Sequence, residues 1–374
     1  MKTFLFPGQG SQAKGMGGEL FDRFHSLTAK ADNILGYSIK TLCLDNPERK
    51  LNETQFTQPA LYVVNALSYF RKLEDGAARP DYVAGHSLGE YNALLAAECF
   101  DFETGLRLVK KRGELMAKAP EGRMAAIMNA SREQVEAILR DNGLANVDVA
   151  NYNTPKQMVI SGNADEVQRA QSLFQQGETM YFPLNTSGAF HSRLMLAASE
   201  EFRTFLNGFR FAAPTIPVIA NTTARPYRDG EVAANLAAQL AGSVLWSDGI
   251  QYLMGLGVSG DEMVFEEIGH GEVLTKMLRH IPKPSMPSIR EDRELQPGPS
   301  EPVRTAPQPV PQNAEDIVRA WNARYPIGTR VRCSQHDYGD LETRTEAITL
   351  FGHRAAIYMK GYNGYFDLTE IVPI

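Results

Sequence analysis

Cysteine and positive charge are both scarce in this sequence. Of its 374 residues only three are cysteines, which lie far apart at Cys43, Cys99 and Cys333. Such spacing predicts neither a disulfide framework nor a metal cluster. Lys and Arg total 38 against 44 Asp and Glu, giving a formal net charge of -6, whereas nucleic-acid-binding domains are usually basic. We therefore expect a protein of a reducing compartment that does not bind nucleic acid.

Long hydrophobic runs are also missing. No segment approaches the roughly 20 apolar residues that a membrane helix needs, and the apolar run from Phe4 to Pro7 is too short for a signal peptide. We therefore expect a cytoplasmic protein with no membrane partner. Hydrophobic residues make up 43% and charged residues 22% of the chain, which is typical of globular proteins. The length predicts more than one domain.

Proline is concentrated in one segment. Nine of the 21 prolines lie between Pro282 and Pro311. Because proline fixes φ and lacks an amide donor, this segment is not expected to form a helix or a central strand. The pattern predicts three parts, which are a body over residues 1–282, an extended linker over 283–312 and a small domain over 313–374.

The body alternates short apolar strands with helices, which is typical of an α/β layered sheet. One helix is predicted to begin at Pro59, since proline is tolerated as the first helical residue. Over 124–185 the elements follow the order β-α-β-β-α-β, so we expect a ferredoxin-like subdomain inserted into an α/β-hydrolase-like body. The small domain should begin with a helix, Ala314 to Tyr325, and continue as a mainly-β, SH3-like barrel.

The segment Gly85-His86-Ser87-Leu88-Gly89 places a serine between a predicted strand and a predicted helix. The glycines let the backbone turn sharply, so that Ser87 Oγ stands at a helix N-terminus where free N–H groups favour developing negative charge. This context favours a nucleophile. The alternative is a glycine-rich strand exit in which the serine only caps the helix.

A nucleophilic serine needs a base, and His191 is the best placed of the seven histidines. It follows the last strand of the predicted insertion, at the point where the chain returns to the body. We expect it to face the cleft between these two parts. A histidine that only caps the following helix is the alternative.

Arg112 lies in the apolar face of a predicted helix, with Leu108, Val109, Leu115 and Met116 at helical spacing around it. A buried guanidinium without a partner is expensive, so it must meet a carboxylate. Its planar fork suits two-point binding of that group. The residues alone leave two possibilities, an internal ion pair or a site for a ligand carboxylate.

The segment Pro7-Gly8-Gln9-Gly10-Ser11-Gln12 is a glycine-rich turn before a helix. Its backbone N–H groups can donate to an oxyanion. It lacks the lysine of a phosphate-binding P-loop, and its G-x-G is too short for a dinucleotide fingerprint. A nucleotide site is therefore not predicted here.

Five motifs occur in a fixed order along the body. They are Phe6-Pro7-Gly8-Gln9-Gly10-Ser11-Gln12, Thr57-Gln58-Pro59-Ala60, Gly85-His86-Ser87-Leu88-Gly89-Glu90, Arg112-Gly113 and Gly188-Ala189-Phe190-His191-Ser192. Together they make residues 1–282 resemble the malonyl-CoA:acyl carrier protein transacylases of fatty-acid and polyketide synthesis. The resemblance implies an [acyl-carrier-protein] S-malonyltransferase whose partners are malonyl-CoA and a carrier protein or a synthase's carrier domains. It implies action in trans, without a cofactor or metal.

The resemblance also implies a role for each matching residue. Ser87 would be the nucleophile and His191 its general base. The backbone N–H groups of Gln9 and Leu88 would form the oxyanion hole. Arg112 would bind the free carboxylate of the malonyl group.

Four further residues are implied around this set. Gln58 would line the acyl pocket, and His86 would also contact the substrate. Phe190 before the histidine resembles the malonyl-selective version of the family. A backbone carbonyl, expected to be that of Leu245, would orient the histidine.

Two other functions remain open from the sequence. The first is an acyl hydrolase of the same fold that removes acyl groups from carrier proteins, although Arg112 favours an acidic acyl group. The second is a binding module in which the C-terminal domain is a docking element and the body only delivers it. A complete set of Ser87, His191 and Arg112 makes a non-catalytic body the less favoured interpretation.

Overall fold

The computed structural model describes residues 1–257, 262–284, 314–333, 340–350, 354–360 and 365–374. The chain divides into two compact units, Met1–Glu294 and Leu295–Ile374. None of the helices in the described ranges is both long and apolar enough to span a bilayer. The predicted linker over 283–312 lies outside the described residues apart from positions 283 and 284, so the predicted domain limits stay predictions.

The first unit combines strands and helices throughout. Its strands are β1 (Lys2–Phe6), β2 (Tyr82–Gly85), β3 (Arg123–Met128), β4 (Val147–Thr154), β5 (Gln157–Gly162), β6 (Met180–Leu184), β7 (Val218–Ile219) and β8 (Val264–Glu267). Its helices are α1 (Leu20–Arg23), α2 (His25–Leu35), α3 (Ile39–Asp45), α4 (Thr54–Glu74), α5 (Gly89–Ala96), α6 (Phe102–Ala117), α7 (Arg132–Asp141), α8 (Ala164–Phe174), α9 (Leu196–Leu206), α10 (Val232–Gln239), α11 (Trp246–Leu256) and α12 (Val273–Leu278). Two 3-10 helices cover Pro47–Asn52 and Arg193–Met195.

A parallel sheet in the order β7-β2-β1-β8 forms the centre of this unit. Phe4 and Leu5 of β1 are fully buried, as a central parallel strand covered on both faces requires. Phe6, at the end of β1, pairs with Gly85, at the end of β2. The two loops that follow these strands therefore meet at one edge of the sheet. The α/β fold expected from the sequence is confirmed.

Helices α4, α5 and α6 pack against one another beside this sheet. The prediction that a helix starts at Pro59 is wrong, because α4 begins at Thr54. Proline costs the helix one backbone hydrogen bond. The turn that precedes Pro59 is instead supported by Thr57, whose hydroxyl donates to the carbonyls of Leu51 and Glu53 at 2.6 and 2.9 Å.

A second sheet, antiparallel, has the order β4-β5-β3-β6. One of its faces packs on α7 and α8 through a separate core that includes Ile127 and Ile160. The Ser131 side chain caps α7, and Gln134 completes the predicted capping box. The other face, which carries Met124, lines the cleft in which the candidate site lies.

The second unit contains a helix and two antiparallel three-stranded sheets, in the orders β10-β9-β14 and β11-β12-β13. Its elements are α13 (Ala314–Asn322), β9 (Arg330–Cys333), β10 (Leu341–Glu342), β11 (Ile348–Leu350), β12 (Arg354–Tyr358), β13 (Tyr365–Asp367), β14 (Ile371–Pro373) and a 3-10 helix over Leu368–Glu370. Trp321 of the helix packs with Val331 and Ile357 in a core of its own. The helix therefore stabilises this unit by covering its strands.

Candidate active site

Ser87 lies on a tight turn between β2 and α5. Its backbone is left-handed, with φ of 52°, a conformation that costs a non-glycine residue free energy. Strand β2 and α5 approach so closely that a Cβ on Gly85 would lie 1.9 Å from the backbone carbon of Gly89. Glycine at position 85 therefore permits the turn that presents Ser87 Oγ at the start of α5.

Asn221 holds this turn from outside. The backbone N–H of Ser87 donates to Asn221 Oδ1 at 2.7 Å, and Asn221 Nδ2 donates to the carbonyl of Gly85 at 2.7 Å. Asn221 is buried, so its amide is satisfied by the turn and not by water. The sequence analysis did not identify this residue.

His191 is hydrogen-bonded to the serine. Its Nε2 lies 2.7 Å from Ser87 Oγ, and its Nδ1 lies 2.8 and 3.1 Å from the carbonyl oxygens of Gln239 and Gly242. Because a carbonyl can only accept, Nδ1 carries the proton, and Nε2 is left to accept one from the serine hydroxyl. Burial, followed by the nearby Arg112 cation, lowers the pKa of His191 to about 3, so the ring is a neutral base at physiological pH.

The prediction that the carbonyl of Leu245 orients the imidazole is wrong. The Leu245 carbonyl accepts from the N–H of Gly249 at 3.0 Å and so begins α11. The carbonyls of Gln239 and Gly242, at the end of α10, hold Nδ1 in its place. The expected kind of partner is present, but it comes from an earlier segment.

Arg112 is almost completely buried, with 1% of its surface exposed. Its Nη1 donates to Gln58 Oε1 at 2.7 Å, while Nη2 donates to Gln239 Oε1 at 2.9 Å and to Ser87 Oγ at 3.1 Å. Its guanidinium carbon Cζ also lies over the Tyr91 ring, 5.6 Å from the centroid. Burial lowers the pKa of Arg112, and an anion bound beside it would favour the charged form.

Among the described residues, none of the salt bridges within 4.0 Å involves Arg112. The internal ion pair considered from the sequence is therefore absent from that part of the chain. Neutral amide oxygens hold the guanidinium beside the serine hydroxyl instead. This arrangement leaves a buried cation able to receive a carboxylate from a ligand.

The predicted oxyanion donors lie on the two loops that meet at the sheet edge. Gln9 follows β1, Leu88 follows Ser87, and both line the same cleft. A Cβ on Gly8 would lie 2.3 Å from the carbonyl oxygen of His86, so glycine there permits the two loops to touch. Within the described residues, the N–H groups of Gln9 and Leu88 donate to no acceptor, which leaves both free for a bound oxyanion.

The cleft over Ser87 has a volume of about 270 Å³. Phe190 and Met116 line it, and Gln58 donates through Nε2 to the Met116 sulfur at 3.2 Å. His86 Nε2 lies 2.8 Å from Asn153 Oδ1, and burial lowers the pKa of His86. The structure therefore brings every predicted site residue except Leu245 to this cleft.

A buried polar network behind the cleft was not predicted. The Glu90 carboxylate accepts from the Tyr227 hydroxyl at 2.6 Å, from the backbone N–H of Asn221 at 3.1 Å, and from Gln239 Nε2. Burial raises the pKa of Glu90 to about 7. Gln239 is fully buried in α10, beside buried Leu236 and Ala237. A polar residue among the apolar residues of this helix was the sequence signal that could have identified it.

The comparisons with known proteins agree with this geometry. Residues 3–275 match the family model described as "Acyl transferase domain". The chain is 58% identical over 285 residues to the polyketide biosynthesis malonyl CoA-acyl carrier protein transacylase PksC of Bacillus subtilis, covering 76% of this chain and 98% of PksC. It is 55% identical to the corresponding transacylase BaeC of Bacillus velezensis, covering 75% and 96% of the two chains.

A solved structure has the same fold. The crystal structure of malonyl CoA-acyl carrier protein transacylase from Burkholderia pseudomallei aligns with a TM-score of 0.74 and 58% identity, covering 75% of this chain and 97% of that one. The family match lies over the body, where the five motifs occur. The chain therefore belongs to the acyl transferase domain family, among the malonyl CoA-acyl carrier protein transacylases.

Proposed function

We propose that this protein transfers a malonyl group from malonyl-CoA to the phosphopantetheine thiol of an acyl carrier protein. The observation that carries the proposal is the position of Ser87 Oγ, 2.7 Å from His191 Nε2 and 3.1 Å from Arg112 Nη2. A nucleophile, a neutral base and a buried cation thus meet at one atom. The names of the relatives, malonyl CoA-acyl carrier protein transacylases of polyketide biosynthesis, support the same substrate and partner.

In the first half of the reaction, Ser87 Oγ attacks the thioester carbonyl and His191 Nε2 takes the hydroxyl proton. The N–H groups of Gln9 and Leu88 donate to the oxygen of the tetrahedral intermediate. The carbon–sulfur bond then breaks, and His191 returns the proton to the CoA thiolate. A malonyl ester of Ser87 remains.

Arg112 selects and positions the acyl group. A malonyl group carries a carboxylate one carbon away from its thioester carbonyl, so an ion pair with Arg112 holds that carbonyl near Ser87 Oγ. Since the guanidinium is buried, the interaction is screened only weakly by solvent. An acetyl group gains nothing from this cation.

In the second half the carrier's thiol replaces CoA in the cleft. His191 takes the thiol proton, the sulfur attacks the ester carbonyl, and Ser87 leaves and regains its proton. The acyl group moves from sulfur to the serine oxygen and then back to sulfur, with His191 carrying the proton each time, so the proposed reaction uses no metal and no bound cofactor. Action in trans on the carrier domains of a polyketide synthase is the context that the relatives' names favour.

We also propose finer assignments for the architecture. The strand order β4-β5-β3-β6, with two helices on one face, supports a ferredoxin-like subdomain inserted over 124–185. The central parallel sheet with its serine turn supports an α/β-hydrolase-like body. Two small antiparallel sheets with a shared core support an SH3-like second unit.

Intact-mass spectrometry with a carrier protein tests the function. Incubation with malonyl-CoA alone should add one malonyl group to the enzyme, and addition of the carrier should move that group to the carrier thiol. The Ser87→Ala variant should form no adduct. As a matched control, Ser172→Ala changes a serine of α8 whose hydroxyl donates to the carbonyl of Arg169 in the same helix, and this variant should form the adduct normally.

Two results would overturn the proposal. Release of free malonate faster than malonyl-carrier is formed would make the protein a hydrolase. A malonyl adduct that survives in the Ser87→Ala variant would place the nucleophile elsewhere. Offering acetyl-CoA in the same mixture reads the acyl preference directly.

A further inference from the structure

One residue behind the cleft touches each of the three groups that the proposed function uses. The backbone carbonyl of Gln239 accepts from His191 Nδ1 at 2.8 Å. Its side-chain Oε1 accepts from Arg112 Nη2 at 2.9 Å, and its Nε2 donates to the carbonyl of Ser87 at 2.8 Å. Gln239 has no exposed surface, so water cannot substitute for any of these contacts.

The orientation of this amide matters because its two ends are chemically opposite. Arg112 has only donors, so Gln239 must turn its oxygen toward the guanidinium. If the amide turned over, two N–H donors would face each other in a buried space, which is costly. A group that accepts from Nε2 therefore fixes where Arg112 Nη2 points.

Two groups accept from Nε2, the carbonyl of Ser87 and the carboxylate of Glu90. Glu90 Oε1 accepts from the Tyr227 hydroxyl and the Asn221 N–H, and its Oε2 accepts from Gln239 Nε2. All three neighbours donate, so the ionised carboxylate, which only accepts, is the form that satisfies them. Glu90 lies one amide away from Arg112, and in the described part of the chain its negative charge acts on the guanidinium without a direct hydrogen bond.

We propose that Gln239, held by Glu90, is a positioning residue that aims the Arg112 guanidinium at the acyl carboxylate and so sets the preference for malonyl over acetyl. The inference rests on the proposed function. In this proposal the Gln239 side-chain oxygen acts on acyl preference through Arg112, and Glu90 acts through Gln239. Replacing a residue with only a structural role would lower the rates of malonyl and acetyl acylation alike. Misplacing the Arg112 guanidinium lowers the rate of malonyl acylation selectively.

The experiment compares kcat/KM for acylation of Ser87 by malonyl-CoA and by acetyl-CoA. In Gln239→Met the guanidinium loses the amide acceptor of Nη2 and keeps Gln58 on Nη1. In Glu90→Gln the oxygen of the new side-chain amide stays with its two donors, Tyr227 and Asn221. Its NH₂ group then faces Gln239 Nε2. Because two donors repel, the Gln239 amide rotates and turns its own NH₂ toward Arg112. A charge-assisted hydrogen bond is involved, so each variant should lower the malonyl-to-acetyl ratio by about tenfold or more.

Ser199→Ala is the matched control. Its hydroxyl donates to the carbonyl of Ala237, in the same helix as Gln239, at 2.7 Å. This variant loosens α10 without touching the network, and its ratio should stay within about twofold of the wild type. A comparable fall in Ser199→Ala would mean that any disturbance of the helix alters selectivity, and would overturn the proposal.

The proposal would also be overturned if the malonyl-to-acetyl ratios of Gln239→Met and Glu90→Gln stayed within about twofold of the wild-type ratio. A fall in the first variant alone would remove Glu90 from the proposal. Glu90→Gln nearly conserves volume, so it decides the question if Gln239→Met does not fold. Failure of the proposed function is a separate result, because then the wild-type protein itself would form no malonyl adduct.

Discussion

Ser87 and His191 share a 2.7 Å hydrogen bond, and both have a left-handed backbone, with φ of 52° and 56°. A non-glycine residue in this conformation costs on the order of 1–3 kcal/mol. Both strained positions are held by buried partners, the turn at Ser87 by Asn221 and the ring of His191 by two carbonyls. The geometry that joins nucleophile and base is therefore maintained at the expense of backbone stability.

This strain predicts an order of stability for two inactive variants. Ser87→Gly should be more stable than Ser87→Ala by about 1 kcal/mol in denaturant unfolding, because alanine keeps a Cβ at positive φ whereas glycine does not. Neither variant should form an acyl adduct. At Ser172, inside α8, the order should be reversed, since glycine weakens a helix by about 1 kcal/mol relative to alanine. The same order at both positions would show that φ at Ser87 stores no strain.

Replacement of Arg112 should separate acidic from neutral acyl groups. In Arg112→Ala, kcat/KM for serine acylation by malonyl-CoA should fall relative to that for acetyl-CoA. The fall should correspond to about 2–5 kcal/mol of transition-state free energy, the cost of losing one partner of a desolvated ion pair. Lys111→Ala removes the neighbouring cation, which pairs with Glu201 outside the apolar face of α6, and should leave the preference unchanged. Equal losses for both substrates in Arg112→Ala would assign the guanidinium to stability alone.

His191 should make the protein less stable as the solution becomes acidic. Its pKa is about 3 in the folded protein against an ordinary value of 6.5, so between these limits the unfolded chain binds more protons. The free energy of unfolding should fall as the pH drops through this window, by at most about 1.4 kcal/mol per pH unit. Urea unfolding of His191→Asn should show a flatter dependence over the same range; an unchanged slope would contradict the low pKa.

Glu90 should make the protein less stable as the pH rises, which is the opposite of the effect of His191. Its pKa is about 7 in the folded protein against an ordinary value of 4.5, so the folded state binds more protons between these limits. The free energy of unfolding should therefore fall as the pH rises from about 4.5 to 7, again by at most about 1.4 kcal/mol per pH unit. Unfolding of Glu90→Gln at several pH values should lack this decline. Parallel curves for the variant and the wild type would place the pKa of Glu90 outside the window.

Removal of the second unit should leave the chemistry of the first intact. The first unit has its own cores, and PksC, of which 98% is matched, aligns over 285 residues. A protein ending at residue 284 should therefore form the malonyl ester at the full-length rate. If the second unit binds the carrier partner, its removal should slow transfer to that carrier. Equal transfer to every carrier with and without residues 312–374 would argue against docking.

Much of the site was predictable because side-chain chemistry has a sequence signature. The glycines around Ser87 indicate a sharp turn. Arg112 among apolar neighbours indicates a buried cation that needs an anion. The carbonyls that orient His191 have no such signature, since every residue carries one, and the expectation of Leu245 therefore failed. Asn221 and Gln239 were missed because their partners are distant in sequence, and nothing local shows that a buried amide is satisfied.

Orientation of His191 by carbonyls has a consequence for the electrostatics of the whole catalytic centre. An aspartate in their place would align the ring equally well, but it would bring a resident counter-ion close to Arg112. Two uncharged dipoles at Nδ1 hold the imidazole instead, and they add no negative charge beside the guanidinium. The base is therefore oriented without weakening the attraction between Arg112 and an acyl group that bears a carboxylate.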